Sequence, residues 1–397
     1  MNKKTVFIII LSVILAFGAF VLSRNLLSGK KNDGPVAIKK PEQTSHNFLL
    51  LGYGGGNHEG TYLTDTMMVV HIDTKIKKVT LFSIPRDLWV RLPTKSGEEF
   101  HTKINAVYQT ELFPEDYPGL DPKYLGSKDD AKLVKTTVQQ ITGLTVDGYV
   151  SVDFEGFTKA IDILGGIDVD VKRAFTDPEY PVDGKEKDLC DQETEGLFKK
   201  AEPFLTPGFN PEERERQFKD DPKLETFVSN ATSSPELAFP CRYEKLEFAK
   251  GTIHMDGATA LKYARSRHSE TDGGDFNRAL RQQQVIEAVK NKVISLGFVT
   301  KIIPLIDEYK KDVKTDIGIN LMQKFIKEAD NVNEYTITTF VISDENVLDN
   351  AISDDKQYIL IPKEGMDSWD GVKQTLDFTI KGITPTPEAT PSSTLAP

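Results

Sequence analysis

Basic charge is in short supply in this chain. Against 60 Asp and Glu stand 49 Lys and Arg, a formal net charge of -11 over 397 residues. A general nucleic-acid binder needs positive charge spread over a face to compete for phosphates, so that class is excluded and any anion site must be local. Cysteine is scarcer still, with only Cys190 and Cys241, and both read as structural. His58, His71, His101, His254 and His268 follow no zinc-ligand spacing, which argues against a zinc enzyme. No G-x-S-x-G element is present, so a nucleophilic hydrolase has no support. The stretch GYGGGNHEG is rich in glycine but lacks the Lys-Ser/Thr ending of a nucleotide P-loop, and reads as a flexible loop at the edge of a site.

One long apolar run is present: Thr5 to Leu22, TVFIIILSVILAFGAFVL, 18 residues without a charge. That length approaches what a helix needs to cross the hydrocarbon layer. A cleaved signal peptide would have a shorter apolar region and a small-x-small site, so a retained anchor is the reading preferred. Lys3 and Lys4 precede the run and Arg24, Lys30 and Lys31 follow it, which leaves the positive-inside rule undecided. The short segment ahead of the run favours a cytoplasmic N-terminus, with the main domain outside. There an oxidising compartment would let Cys190 and Cys241 pair, the alternative being two free thiols.

The organisation that follows is 1–4 cytoplasmic, 5–22 transmembrane, 23–45 a polar linker, 46–383 the extracytoplasmic domain and 384–397 a disordered tail. Within the domain NFLLLGY, TMMVVHI and KVTLFSI read as strands, the last two joined by a hairpin through Asp73 to Lys77. GYVSVD and GIDVDV flank FEGFTKAIDILG, a strand-helix-strand pattern. Helices are expected at Asp130 to Ile141, Asp256 to Tyr263, Phe276 to Ser295 and Leu321 to Ala329, with a late strand at Tyr335 to Ile342. Strands interleaved with helices define a layered α/β (α+β) domain. From about 175 to 245 the periodicity dissolves, and the segment reads as a surface insertion stapled by the cysteines.

Four arginines crowd into YARSRHSETDGGDFNRALRQ, Tyr263 to Gln282. Asp275 stands at an N-cap position before a helix starting at Phe276. On that helix Arg278 and Gln282 share a face with Val285, Ile286, Val289 and Val293, with Arg281 on the flank. An inward guanidinium requires a carboxylate, a phosphate or carbonyls. Arg265 and Arg267 are one residue apart and would point the same way if extended, offering two planar forks to phosphate oxygens. An internal network with Glu270, Asp272 and Asp275 is the competing reading. Farther upstream, Arg86 follows Pro85 at the end of a strand and Asp65 begins the neighbouring one. Hairpin pairing would bring them together, either as a plain ion pair or as a carboxylate holding a metal or taking a proton beside a phosphate-binding arginine.

The ordered segments NFLLLG, LTDTMMVV, SIPRD, KINAVY, DGYVSVDFEGFTKAIDILGGIDVDV, MDGATALKYARSRH and DFNRALRQQQVI resemble the LytR-CpsA-Psr family of membrane-anchored cell-envelope proteins. The resemblance spans roughly Asn47 to Ser295. It implies a central mixed sheet flanked by helices, preceded by one transmembrane helix, in a single-pass protein of the cell membrane. It also implies transfer of a glycopolymer from a polyprenyl-pyrophosphate carrier to a peptidoglycan hydroxyl, with Mg²⁺. By motif, Arg86, Arg265, Arg267, Arg278, Arg281 and Gln282 would bind the pyrophosphate, Asp65 would hold the metal or activate the acceptor, and Asp275 would orient arginines or waters. Two places depart from the family pattern: Gly54 stands where an Asp is usual and Leu63 where an Arg is usual, with His58 and Glu59 in the same loop as substitutes. A polyprenyl-pyrophosphate phosphatase and a non-catalytic lipid-phosphate binder are the alternatives.

Overall fold

The computed structural model describes residues 44–56, 60–125, 130–205, 210–295, 313–317 and 335–383. The apolar run 5–22, His58 and Glu59, the helix expected at 321–329 and the tail 384–397 lie outside these residues. Among the described residues, no helix is long and apolar enough to cross a membrane. The chain divides into two compact units. The first holds the chain up to Asp168, Met255–Gly257 and everything from Gln283 onward; the second is Val169–His254 with Ala258–Gln282.

In the first unit β1 (Ser45–Tyr53), β2 (Thr64–Asp73) and β3 (Lys78–Ser83) form antiparallel pairs. The turn after Asp73 is short enough to pair Asp73 with Lys78 directly, as the hairpin reading requires. Phe48, Leu49, Val69, Val70 and Phe82 have no exposed surface, so these strands are covered on both faces, which is why they read as continuous apolar runs rather than alternation. The register of β1 and β2 slips beside Gly52: Gly52 pairs Thr66 but Tyr53 pairs Thr64, leaving Asp65 as the extra residue of a bulge. Such a bulge re-aims the side chain it carries. After β3 come a two-stranded ribbon, β4 (Trp89–Leu92) and β5 (Phe100–Lys103), then helix α1 (Lys132–Thr142). The buried Glu111 carboxylate receives the free N–H groups of Leu133 and Val134 at the start of α1. Strand β6 (Gly148–Asp153) runs parallel to β1 and leads into α2 (Phe154–Ile163), which Asp153 caps by accepting from the Gly156 N–H at 2.7 Å.

The second unit carries β7 (Ile167–Val171), β8 (Phe175–Pro181), α3 (Gln192–Leu205), α4 (Pro211–Asp220), α5 (Pro222–Ser233), β9 (Tyr243–Phe248) and β10 (Gly251–Met255). It is thus far more regular than the expected featureless insertion. Proline opens α4 and α5, where its missing N–H costs nothing, and Asn210 and Asp221 cap them. Ala201 and Phe204 of α3, Leu224, Phe227 and Val228 of α5, and Ala238 and Phe239 beyond it form a small core of their own, against which Phe218 of α4 packs. It is too sparse to mark helical faces by periodicity. Cys190 and Cys241 form a disulfide, with Cα atoms 5.4 Å apart. Strand β7 completes the expected strand-helix-strand pattern with β6 and α2, and it pairs with β10 in a separate two-stranded ribbon. Helices α6 (Gly257–Arg265) and α7 (Gly274–Ser295) follow, α7 belonging to this unit up to Gln282 and to the first unit from Gln283. Asp275 therefore lies inside the first turn of α7 rather than capping it.

Beyond α7 the chain adds β11 (Val313–Thr315) and β12 (Thr336–Val341) to the main sheet of the first unit, whose order is β11-β6-β1-β2-β3-β12. Parallel and antiparallel pairs coexist, so this is a mixed sheet with helices, the architecture the strand and helix pattern implies.

Candidate functional site

The first group of expected site residues lies at one end of the β2–β3 hairpin. Because Met68 pairs with Ser83 and the Ile84 N–H still reaches Met67 O, the chain after β3 arrives alongside the bulge in β2. Arg86 Nη1 donates to Asp65 Oδ1 at 2.7 Å. Both remain accessible, with side-chain exposures of 24% for Arg86 and 40% for Asp65. On its other side Arg86 Nε stands 3.5 Å from Asp87 Oδ2, and Asp87 Oδ1 accepts from Lys103 Nζ at 2.7 Å. Asp87 and Lys103 thus complete an alternating chain of charges from Asp65 to Lys103. Reading the sequence alone missed these two; their signal was the Asp of SIPRD and the Lys of KINAVY.

The second group belongs to the second unit, around the segment from Ser266 to Gly273 that links α6 to α7. Arg265, at the end of α6, donates from Nη1 to the Tyr180 hydroxyl at 3.1 Å and to Asp183 Oδ1 at 3.2 Å. Burial pushes the Tyr180 phenol up to about 12, so it stays a neutral acceptor for the guanidinium. Arg267 Nε stands 3.0 Å from Asp275 Oδ1, close enough for an ion pair although off the line a hydrogen bond needs. Arg278 Nη2 approaches the same oxygen at 3.2 Å. Two guanidiniums from opposite ends of the loop thereby share one carboxylate oxygen. Gln282, half-buried, donates from Nε2 to Ala264 O at 3.4 Å.

Arg281 does different work from the flank position expected of it. It is 1% exposed, deeper than Arg278 at 6%, and the inward face of α7 runs through Arg278, Arg281, Val285 and Ala288. Spacing alone allows this stripe or its neighbour, and packing selects the rotation. Arg281 Nη1 donates to the Asp272 carbonyl at 2.7 Å and to Asp272 Oδ2 at 2.9 Å, while Nη2 donates to the Ser266 carbonyl. The guanidinium also sits 4.7 Å from the Phe175 ring centroid. Both ends of the loop are thus tied to one buried cation.

A divalent ion has a narrower set of ligands to use. Among the described residues the one cluster of three potential ligands is Asp188, Cys190 and Cys241, whose sulfurs are bonded to each other. Gly54 supplies no carboxylate, and one oxygen of Asp65 already faces Arg86. A single accessible carboxylate fits an ion that keeps most of its waters and leans on substrate phosphates, the habit of Mg²⁺, and does not fit a closed protein cage.

A mixed-sheet α/β fold with accessible guanidiniums set on internally braced backbone is chemically suited to phosphate-like anions. The chain belongs to the LytR_cpsA_psr family, which matches residues 22–369. It is 28% identical over 302 residues to the polyisoprenyl-teichoic acid–peptidoglycan teichoic acid transferase TagV of Bacillus subtilis (strain 168), covering 75% of this chain and 55% of that one. It is 25% identical over 292 residues to biofilm regulatory protein A of Streptococcus mutans, covering 72% and 52%. The chain therefore spans about half the length of these two relatives. It is also 25% identical over 312 residues to a TagU transferase of Oceanobacillus iheyensis, covering 78% and 71%. The crystal structure of B. subtilis TagV shares the fold, with a TM-score of 0.52 and 24% identity over 87% of this chain and all of that one.

Proposed function

We propose that the protein is a membrane-anchored phosphotransferase that attaches a polyprenyl-pyrophosphate-linked glycopolymer to peptidoglycan during cell-wall assembly. The observation that carries this reading is the meeting of Arg267 and Arg278 on one oxygen of Asp275, a carboxylate holding the place where two guanidiniums can receive an anion. Family membership and the activity printed in the names of the TagV and TagU relatives support the choice of substrate class. The run Thr5–Leu22 is assigned as the membrane anchor, with a cytoplasmic N-terminus and the main domain outside.

In this reading Arg86, Arg265, Arg267, Arg278 and Gln282 contact phosphate oxygens, and the arginines neutralise charge that builds on the transferred phosphoryl group. The acceptor hydroxyl oxygen bonds to the glycan-bearing phosphorus, the bond from that phosphorus to the polyprenyl phosphate oxygen breaks, and polyprenyl phosphate leaves. Asp65 takes the hydroxyl proton, with Arg86 holding its carboxylate in place. Mg²⁺, when bound at Asp65, would supply further neutralisation of phosphate charge. Arg281 holds the loop rather than the phosphate, since its Nη1 and Nη2 groups are both committed to loop acceptors.

The test is to incubate the full chain in membrane vesicles with a pyrophosphate-linked lipid glycan, peptidoglycan and Mg²⁺. Glycan bound to the wall is the expected product. Free phosphate without a linked product would make the protein a phosphatase, and tight binding without turnover would make it a lipid-phosphate carrier.

A further inference from the structure

Asp177 has no place in the roles above, yet no surface of it is exposed, in a chain where most carboxylates face water. It sits on β8 where the register against β9 slips: Asp177 pairs Leu246 but Tyr180 pairs Glu244, so one extra residue bulges out between them. Its Oδ1 closes that bulge by accepting from the Glu179 N–H at 3.0 Å. Its Oδ2 faces the arginine loop and accepts three donors at once: the Ser266 hydroxyl at 2.6 Å, the Arg267 N–H at 2.9 Å and the His268 N–H at 3.2 Å. Burial alone would push this carboxyl up, but these four donors outweigh it and hold it below the ordinary aspartate range. Only an ionised carboxylate offers acceptor sites in both directions for four donors and no hydrogen of its own to clash with them.

The rest of the loop is braced from the other side. Arg281 draws in the carbonyls of Ser266 and Asp272, the Gly274 N–H returns to Arg267 O at 2.8 Å, and Gly273 packs so closely that a Cβ there would fall 2.2 Å from Ser269 O. A buried anion thus grips the N–H groups of the loop while a buried cation grips its carbonyls. The same bulge also carries Tyr180, whose hydroxyl receives Arg265.

We propose that Asp177 is a positioning residue for the phosphate-binding arginines, setting the backbone from Ser266 to His268 so that Arg265 and Arg267 present their guanidiniums together. This rests on the phosphate reading of those arginines, and it makes a prediction of opposite sign to simple electrostatics. Removing a buried negative charge from under an arginine-bearing loop should, by Coulomb attraction alone, tighten an anion. Loss of positioning should weaken it.

The experiment measures the dissociation constant of inorganic pyrophosphate for the full chain, by calorimetry, in a set of variants whose folding is checked by circular dichroism. Arg267→Ala tests the underlying reading, with an expected weakening of about tenfold from loss of one charge-assisted contact. Asp177→Ala is expected to weaken binding by a similar factor of about tenfold, and Asp177→Asn by less, since the amide keeps one acceptor oxygen. In a background already carrying Arg265→Ala and Arg267→Ala, Asp177→Asn should change affinity by less than about twofold, because the groups it positions are gone. Should Asp177→Ala not fold, Asp177→Asn carries the same comparison. Unchanged or tighter binding in a folded Asp177 variant, with Arg267→Ala weakened, overturns the positioning role alone. An equal loss in both backgrounds makes Asp177 a general structural residue and overturns it as well. Undiminished binding in Arg267→Ala overturns the phosphate reading, and this proposal with it.

Discussion

The end of the β2–β3 hairpin and the Ser266–Gly273 loop use the same chemistry, a guanidinium against a carboxylate, in opposite settings. Asp65 and Arg86 meet in a pair that water still reaches, at 40% and 24% exposure. Arg281 and Asp272 meet at 2% and 14%, with Asp177 sealed behind the same loop. An accessible ion pair contributes little to stability because water and salt compete with it, and for the same reason a ligand can compete too. A buried pair is different: breaking one side strands a charge without solvent, so it acts as a clamp. Exposure separates Arg86, Arg265 and Arg267, at 24%, 24% and 33%, from Arg281 at 2%. The buried Arg278 differs from Arg281 in its partner, the half-exposed carboxylate of Asp275 in place of loop carbonyls.

The largest effect that would break this contrast is on turnover. Asp65→Ala should lower the transfer rate by roughly a hundredfold or more while leaving pyrophosphate affinity nearly unchanged, as expected for loss of a proton acceptor; rate and binding assays on the same preparation check it. A normal rate would remove Asp65 from its assigned role. Next, Arg281→Ala should destabilise the protein by about 3–5 kcal/mol in urea unfolding, because Asp272 and two loop carbonyls lose a buried partner. By contrast Arg267→Ala, a third exposed, should cost no more than about 1 kcal/mol of stability. Equal losses for Arg267→Ala and Arg281→Ala would erase the distinction.

The pH dependence of stability sharpens the comparison further. Asp177 has its carboxyl held below the ordinary range when folded, so the unfolded chain binds the proton more readily, and the stability it contributes is fully present above the unfolded value near pH 4. That contribution fades as pH falls from there through the lower folded value. The stability gap between the wild type and Asp177→Asn should therefore be constant above about pH 5 and shrink below about pH 4. A gap that stays flat to pH 3 would show that Asp177 is not held ionised by its donors. The smallest expected effect concerns Asp183, which is 72% exposed and pairs with Arg265. Asp183→Ala should leave stability within about 0.5 kcal/mol and tighten pyrophosphate by about two- to threefold, since a weak competitor for the guanidinium is removed.

The hairpin pair was legible before any coordinates. Apolar runs located β2 and β3, a short turn set their register, and register placed Arg86 beside Asp65, so every step was local. The insertion was not legible, because α3, α4 and α5 rely on few apolar residues and a separate small core. Nor was the depth of Arg281: one turn of helix offers two adjacent faces, and only the packing of Phe175 and the Asp272 carboxylate turned this arginine inward. Asp177 gave no signal at all, since the TDPEY stretch around it has neither periodicity nor a motif.

Unaided, then, the amino-acid order determined the main-sheet strands other than β11, the family pattern and the identities of the arginines, because apolar runs, turn lengths and short motifs depend on neighbours a few residues apart. Which of those arginines stays reachable, and which is locked into a scaffold, was decided only by tertiary structure. Burial and hydrogen-bond satisfaction depend on segments brought together from afar, such as Asp177 and Ser266, 89 residues apart, and no local pattern records what lies on the far side of a packed side chain.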